Sequence, residues 1–250
     1  MYGSKLDLSI FEKLQLENHP VGVKYSFLKP ENVENIGKSM ALCEMLNEVN
    51  KRGKPFYATK DNEDCVGKVP MGWEDTPPPA EAGLIGPRWG THEEPRANAQ
   101  IYKDVPRFSR GVVNYVVFSP LDKMDFDPDV LFVLADIEQA EIVMRSMSYS
   151  TGELFESKMT NVMGCAYLFA YPYHQAKVNY IPTGMGFGMK AREVFPSGQF
   201  LVAIPFQWLP TMVRNLEEMT WELPAYRWSK EEFLQAADKL HEEIGSLVEE

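Results

Sequence analysis

At 250 residues the chain can bury a substantial core, and its 44% hydrophobic and 24% charged content is that of a soluble globular protein. A formal net charge of −11 argues against generic binding to nucleic acid or to an anionic membrane, since both require a basic surface. The N-terminal stretch MYGSKLDLSIF has no apolar core or cleavage signature, and the longest apolar run, Val162 to Tyr171, is too short to span a bilayer. A cytoplasmic protein is therefore expected. Three cysteines in such a chain imply reduced thiols, not a disulfide framework.

Residues 6–17 carry Leu6, Leu8, Ile10, Phe11, Leu14 and Leu16 at mostly helical spacing, which predicts an amphipathic opening helix ended by Pro20. PVGVKYSF then alternates Val21, Val23, Tyr25 and Phe27 as a half-buried strand. After a polar connection, Met40, Leu42, Cys43, Leu46 and Val49 form the apolar face of a second helix that stops near Gly53. KPFYATK reads as a short strand, followed by the turn-like DNEDCVG.

From about 70 to 106 prolines and glycines interrupt any long periodicity, with room for short helices at 79–84 and 92–103. Trp73, Arg88 and Trp89 point to an ordered, lid-like segment rather than a linker. GVVNYVVFSP (111–120) and DVLFVLAD (129–136) are apolar on both faces and so expected near the middle of a sheet. Asp136 and Gln139 make a capping box for a helix whose buried side is Ile137, Ala140, Val143, Met144 and Met147. A helix over 158–171 carries Cys165 and ends at Pro172; KVNYIP is a strand, TGMGFGMKAR a glycine loop and QFLVAIPF another strand. Helices at 207–219 and 229–249 close the chain, the last with a Ser229–Glu232 capping box and a face of Phe233, Ala236, Ala237, Leu240, Ile244 and Leu247.

No helix separates the strands at 111–118 and 130–135, which favours an α+β fold with a mixed or largely antiparallel sheet and packed helices over a doubly wound one. A single domain over 1–250 is expected, with the lid-like segment at about 70–106 and the C-terminal helix at about 229–249.

Chemistry rests on Cys43, Cys65 and Cys165. Thiolates make soft sites that suit zinc or an iron–sulfur cluster. The gaps of 21 and 99 residues carry no metal signature by themselves, and on spacing alone three inert core thiols are the more ordinary reading. The loop Gly184-Met185-Gly186-Phe187-Gly188 lacks the G-x-G-x-x-G spacing of a dinucleotide site. Its glycines suit a tight turn, or a close approach of backbone to a ligand. The four histidines form no motif.

The words PVGVKY, Cys43-Glu44 on a helix, Asp64-Cys65 in a turn and Gly164-Cys165 on a later helix come in a telling order. With the loop TGMGFGMKAR and the run FLVAIPFQWLPTMVRNLE, they resemble the family called domain of unknown function 169, or ArCR. The resemblance spans roughly residues 20–220 and implies an uncharacterised protein of archaea and anaerobic bacteria. One departure matters: many members carry a further cysteine where this chain has Gly184-Met185-Gly186, so no fourth thiolate comes from that loop.

Three thiolates without a fourth fit a 4Fe–4S cluster with one open iron, able to act as a Lewis acid or an inner-sphere redox site. The expected activity is that of an iron–sulfur enzyme of anaerobic metabolism, a lyase or hydratase, sulfur transferase or reductase, acting on a small aromatic or anionic substrate. Cys43, Cys65 and Cys165 are the expected metal ligands. Gly164, Gly184 and Gly186 would border the cofactor, Glu44 would serve as acid or base, and Arg192 (or Lys190) would hold an anionic group. Zinc held by the cysteines with His92 or His174 is the competing metal. The alternative from another class is a metal-free small-molecule binding or accessory protein with structural cysteines. A homo-oligomer and an electron-transfer partner are compatible with the enzyme reading.

Overall fold

The computed structural model describes residues 5–248, which fall into two compact units, one within residues 1–217 and one within 218–250. The first is an α+β unit built on a seven-stranded sheet. Its strands are β1 (Val21–Ser26), β2 (Glu34–Asn35), β3 (Phe56–Ala58), β4 (Tyr115–Pro120), β5 (Val130–Ala135), β6 (Asn179–Pro182) and β7 (Phe200–Pro205). Their order is β2-β3-β4-β1-β5-β7-β6, and every neighbouring pair is antiparallel except β2 with β3. The sheet is mixed but largely antiparallel, as the missing crossover helix predicts. The two most apolar strands, β4 and β5, do lie near its middle, with β1 inserted between them: Val21 faces Pro120 on one side and Phe132 on the other. The two-residue strand β2 falls in what the sequence marks only as a polar connection.

Helix α1 (Leu42–Arg52) buries Leu42, Cys43, Met45, Leu46 and Val49. These join Val23, Phe56, Phe118, Phe132 and Phe169 in one core. Phe56 stacks on Phe118 with ring centroids 5.3 Å apart, and Phe132 packs on Phe169 at 4.7 Å. Each such ring contributes about 1.5–3 kcal/mol of burial, so the sheet, α1 and the Cys165 segment are fastened through a shared aromatic centre. Within 70–106 lie the short helices α2 (Pro78–Glu81), α3 (Ile85–Arg88) and α4 (Pro95–Lys103). The segment is ordered by polar ties, among them Trp73 Nε1–H to Val113 O at 2.7 Å and Gly86 N–H to Asn98 Oδ1 at 2.9 Å. Helix α5 (Ile137–Ser148) starts at the expected capping box and buries Ala140, Val143, Met144 and Met147. Ile137, at its first position beyond the cap, instead faces solvent.

Two expected helices differ. The opening one is a 3-10 turn, Ser9–Leu14, because Asp7 Oδ1 accepts the Ser9 N–H and starts it late, while Gln15 turns left-handed at φ 54° and ends it early. The one expected over 158–171 begins only at Gly164, after Met163 at φ 57°, and runs through Pro172 into α6 (Tyr171–Gln175). Proline survives there because residues 166–170 form a π-turn. In that register the carbonyl five residues back, Tyr167 O, would lack a donor, and the Asn179 Nδ2–H supplies one at 2.7 Å. The glycine loop contains a further short helix, α7 (Phe187–Ala191), and α8 spans Leu209–Glu218.

The second unit holds a 3-10 turn, Pro224–Arg227, and α9 (Lys230–Val248). Its capping box forms as expected: Ser229 N–H reaches Glu232 Oε2 at 2.7 Å, and Glu232 N–H reaches Ser229 Oγ at 3.2 Å. On the expected apolar face Phe233, Leu240 and Ile244 are exposed. Leu247 lies outside the described side chains. Among the described residues no helix is long and apolar enough to cross a membrane.

Candidate functional site

The first turn of α1 brings up Cys43. A helix start leaves backbone amides without partners, and here carboxylates accept two of them. Glu44 Oε2 accepts the Ala41 N–H at 2.7 Å, and Glu63 Oε2 accepts the Leu42 N–H at 2.6 Å. Glu63 belongs to the turn that carries Cys65, and its other oxygen, Oε1, accepts the Cys65 N–H at 2.8 Å. That turn is locked by buried Asn62, whose Oδ1 accepts Thr59 N–H at 3.0 Å and whose Nδ2 donates to Asn35 and Lys38. Met40 N–H to Asn62 O at 2.8 Å stitches the turn to the approach of α1.

Cys165 arrives differently. Left-handed Met163 ends an extended stretch, and Gly164 and Cys165 open the helix that leads into the π-turn. Cys165 is buried in the same core cluster as Cys43, and Cys65 packs against it half-buried. On the fourth side, α7 ends at Arg192. Its Nη1 donates to Glu44 Oε2 at 2.8 Å and its Nη2 pairs with Asp64 Oδ1 at 2.9 Å, so one guanidinium straps together the residues next to Cys43 and Cys65.

These segments enclose a cavity of about 480 Å³. All three cysteines line it, with Glu63, Asp64 and Arg192 as its charged groups and Gly67, Gly164, Gly186 and Gly188 as its thin walls. Ile85, Trp89 and Tyr102 from the lid-like segment complete it, and Trp89 stacks on Phe187 with centroids 5.3 Å apart. Three chain segments, with 21 and then 99 residues between their cysteines, thus converge on one space.

Not every expected residue reaches that space. Glu44 is spent on the helix start and on Arg192 and does not line the cavity. Gly184 lies outside the wall; it turns the chain at φ 88°, where an added Cβ would stand 2.9 Å from Ser197 Oγ. Lys190, His92 and His174 are not on the wall either. His92 bonds to Thr91 and Asn98, and His174 packs on Phe108. Glu63 is the residue that sequence reasoning missed: it is 1% exposed and faces the thiols, yet an acid in the turn Asp61-Asn62-Glu63-Asp64 reads as solvated. Its one local signal is Gly67 four residues on, where a Cβ would stand 2.8 Å from Glu63 Cδ.

The electrostatics are those of a buried site that disfavours negative charge. Burial pushes the Cys43 thiol up to about 12, with Cys65, Glu63 and Glu44 adding to the rise. Burial also lifts Cys165 well above the usual thiol range, reinforced by Glu63, Cys43 and Cys65. Cys65 rises for the same first reason, opposed by the Val66 N–H and by Arg192. Burial pushes Glu63 up to about 7 against the pull of the Cys65 and Leu42 amides. Without a cation the thiols hold their protons at neutral pH, and a bound cationic centre would deprotonate them.

Three thiols on one wall are donors of the soft kind that zinc or an iron–sulfur cluster takes. Among the described residues no group of three His, Cys, Asp or Glu is placed so that it could hold a metal ion. Neither candidate histidine is on the wall to complete a Cys₃His set with zinc.

The relative named Uncharacterized protein MJ0308, from Methanocaldococcus jannaschii, is 25% identical over 214 residues, covering 83% of this chain and 91% of that protein. No solved structure matches the chain. The family described as uncharacterised ArCR, domain of unknown function 169, matches residues 9–215. That stretch corresponds closely to the first compact unit and contains every residue of the cavity wall. The chain belongs to the ArCR family.

Proposed function

We propose that this protein is an iron–sulfur enzyme of anaerobic, cytoplasmic metabolism in which Cys43, Cys65 and Cys165 hold a 4Fe–4S cluster above a small-molecule pocket. The observation that carries the reading is the meeting of all three cysteines, from three distant segments, on one cavity of about 480 Å³. Held by three thiolates, such a cluster supplies an iron with no protein ligand, a Lewis acid or inner-sphere electron site for a small substrate.

The chain's own groups define what could bind there. Trp89, Phe187 and Tyr102 offer flat apolar surface and exclude water, which suits an aromatic or otherwise planar substrate. Arg192 lines the same space, but its charge is shared with Glu44 and Asp64. It therefore orients a weakly anionic group, such as a single carboxylate or carbonyl oxygen, better than a polyanion. A redox reaction would add an electron-transfer partner; a lyase or hydratase would not.

Anaerobic purification with assay of iron, inorganic sulfide and visible absorbance tests the reading. The expected result is a coloured protein whose iron falls sharply on Cys→Ser substitution at each of the three positions singly. The apolar wall, with its three protonated thiols, favours a second reading, a metal-free binding protein. A colourless, iron-free protein whose three Cys→Ser variants are unchanged in fold and iron would establish that one instead.

A further inference from the structure

Glu63 is a carboxyl almost wholly withdrawn from water, at 1% exposure, and among the described residues no ion pair compensates it; its partners are backbone amides. Burying a charge-bearing group is costly unless it is fully bonded, so its position calls for a role. Its two oxygens are divided between the two cysteine segments: Oε2 takes the amide just before Cys43, and Oε1 takes the amide of Cys65 itself. Gly67 is shaped to this carboxyl. A Cβ there would stand 2.8 Å from Glu63 Cδ, 2.9 Å from Oε2 and 2.9 Å from Leu42 Cδ1. The outer strap from Arg192 to Glu44 and Asp64 spans the same two segments from the solvent side.

We propose that Glu63 is a positioning residue that fixes the separation and orientation of Cys43 and Cys65 as a pair, by bridging their backbones from inside the cavity while Gly67 leaves room for it. Two short bonds from one rigid carboxylate define a distance between segments that are 21 residues apart in the chain. Apolar packing alone would let them slide. The effect of this clamp on iron rests on the cluster reading; the clamp itself does not.

The test has two arms on the full-length chain. In the metal-free protein, amide hydrogen exchange at Leu42 and Cys65 is compared with that at Val49, deep in the same helix. Glu63→Ala is expected to expose Leu42 and Cys65 about tenfold or more while Val49 stays protected. Glu63→Gln, which exchanges one acceptor oxygen for a donor, is expected to release one of the two amides and not both. Gly67→Ala, with Glu63 retained, is expected to release both by displacing the carboxyl, and to add less when Glu63 is already Ala. Wild-type protection of both amides in Glu63→Gln and Gly67→Ala overturns the clamp. So does a loss that extends equally to Val49.

In the iron-loaded protein, Glu63→Ala is expected to weaken iron retention about 10- to 100-fold with all three cysteines present, partly rescued in Glu63→Gln. The reduced-cluster electron paramagnetic resonance signature is expected to shift in Glu63→Gln, which a residue that only stabilises the fold would leave unchanged. An unaltered signature and full iron in both variants would overturn the positioning role. If wild-type protein itself takes up no iron, the cluster reading fails and the exchange arm alone decides the clamp.

Discussion

Across the cavity two walls face each other that are held in different ways. In the wall from 41 to 67, carboxylate and amide side chains grip the backbone, Glu44 on Ala41, Glu63 on Leu42 and Cys65, and Asn62 on Thr59, and Arg192 reaches across from the opposite wall to strap Glu44 to Asp64. In the wall from 161 to 192, small and flexible residues dominate. Gly164, Gly186 and Gly188 present bare backbone, Met189 lies among them, and left-handed Met163 is anchored by apolar contact with Val69, Tyr102, Val105 and Ala166. Directional bonds fix distances, whereas glycine and methionine walls adapt to what lies against them. Cys43 and Cys65 thus stand on a wall held by directional bonds, and Cys165 on one of small and flexible residues.

The sharpest challenge to that contrast is Asn179, a fully buried amide on the adaptable side. It accepts the Lys158 N–H at 2.9 Å and donates to Lys158 O at 3.0 Å and Tyr167 O at 2.7 Å, bracketing Cys165. Asn179→Ala leaves those groups unpaired and is expected to cost about 3 kcal/mol in denaturant unfolding of the metal-free protein. A loss well under 1 kcal/mol would mean that packing alone holds this wall. Met163 gives the next largest effect. Met163→Ala is expected to cost about 2–3 kcal/mol through lost packing. Met163→Gly, which loses the same contacts but relieves the left-handed backbone at φ 57°, should be no worse than Ala despite glycine's flexibility.

Chemical labelling of the metal-free protein sharpens the contrast in another way. Cys65 is half-buried beside Arg192, while Cys43 and Cys165 are buried with thiols pushed up by burial. A thiol reagent at mildly alkaline pH should modify Cys65 first, faster by on the order of tenfold, as read by peptide mass mapping. The smallest effect belongs to the strap. Arg192→Ala breaks two ion pairs whose groups are about a third exposed, and should cost less than about 1 kcal/mol in unfolding while changing the affinity for a planar monoanion.

Much of this frame is legible in the sequence because it follows local rules. Alternation marks β1, the run of apolar residues marks β4 and β5, and the Asp136–Gln139 and Ser229–Glu232 boxes mark where two helices start. The cysteine words place Cys43 on a helix and Cys65 in a turn, where the structure has them. What is not legible depends on partners far along the chain. An acidic residue in a four-residue polar turn gives no sign that it folds inward onto the start of α1, so Glu63 is invisible and Glu44 takes its place in a sequence reading. Pro172 looks like a helix stop because the donor that rescues its helix, Asn179, arrives from a strand. Gly184 and Gly186 look alike in sequence, and only the position of Ser197 shows that the first is a turn and the second a wall.

The central claim is that Cys43, Cys65 and Cys165 jointly hold one iron–sulfur centre. Its most direct test is a crystal structure of anaerobically prepared protein with data collected on both sides of the iron absorption edge. The account predicts one compact iron signal in this cavity, in bonding contact with all three Sγ atoms and lacking a fourth protein ligand. Iron bound elsewhere, or a cavity with three protonated thiols and no iron in a preparation supplied with iron and sulfide, would contradict it.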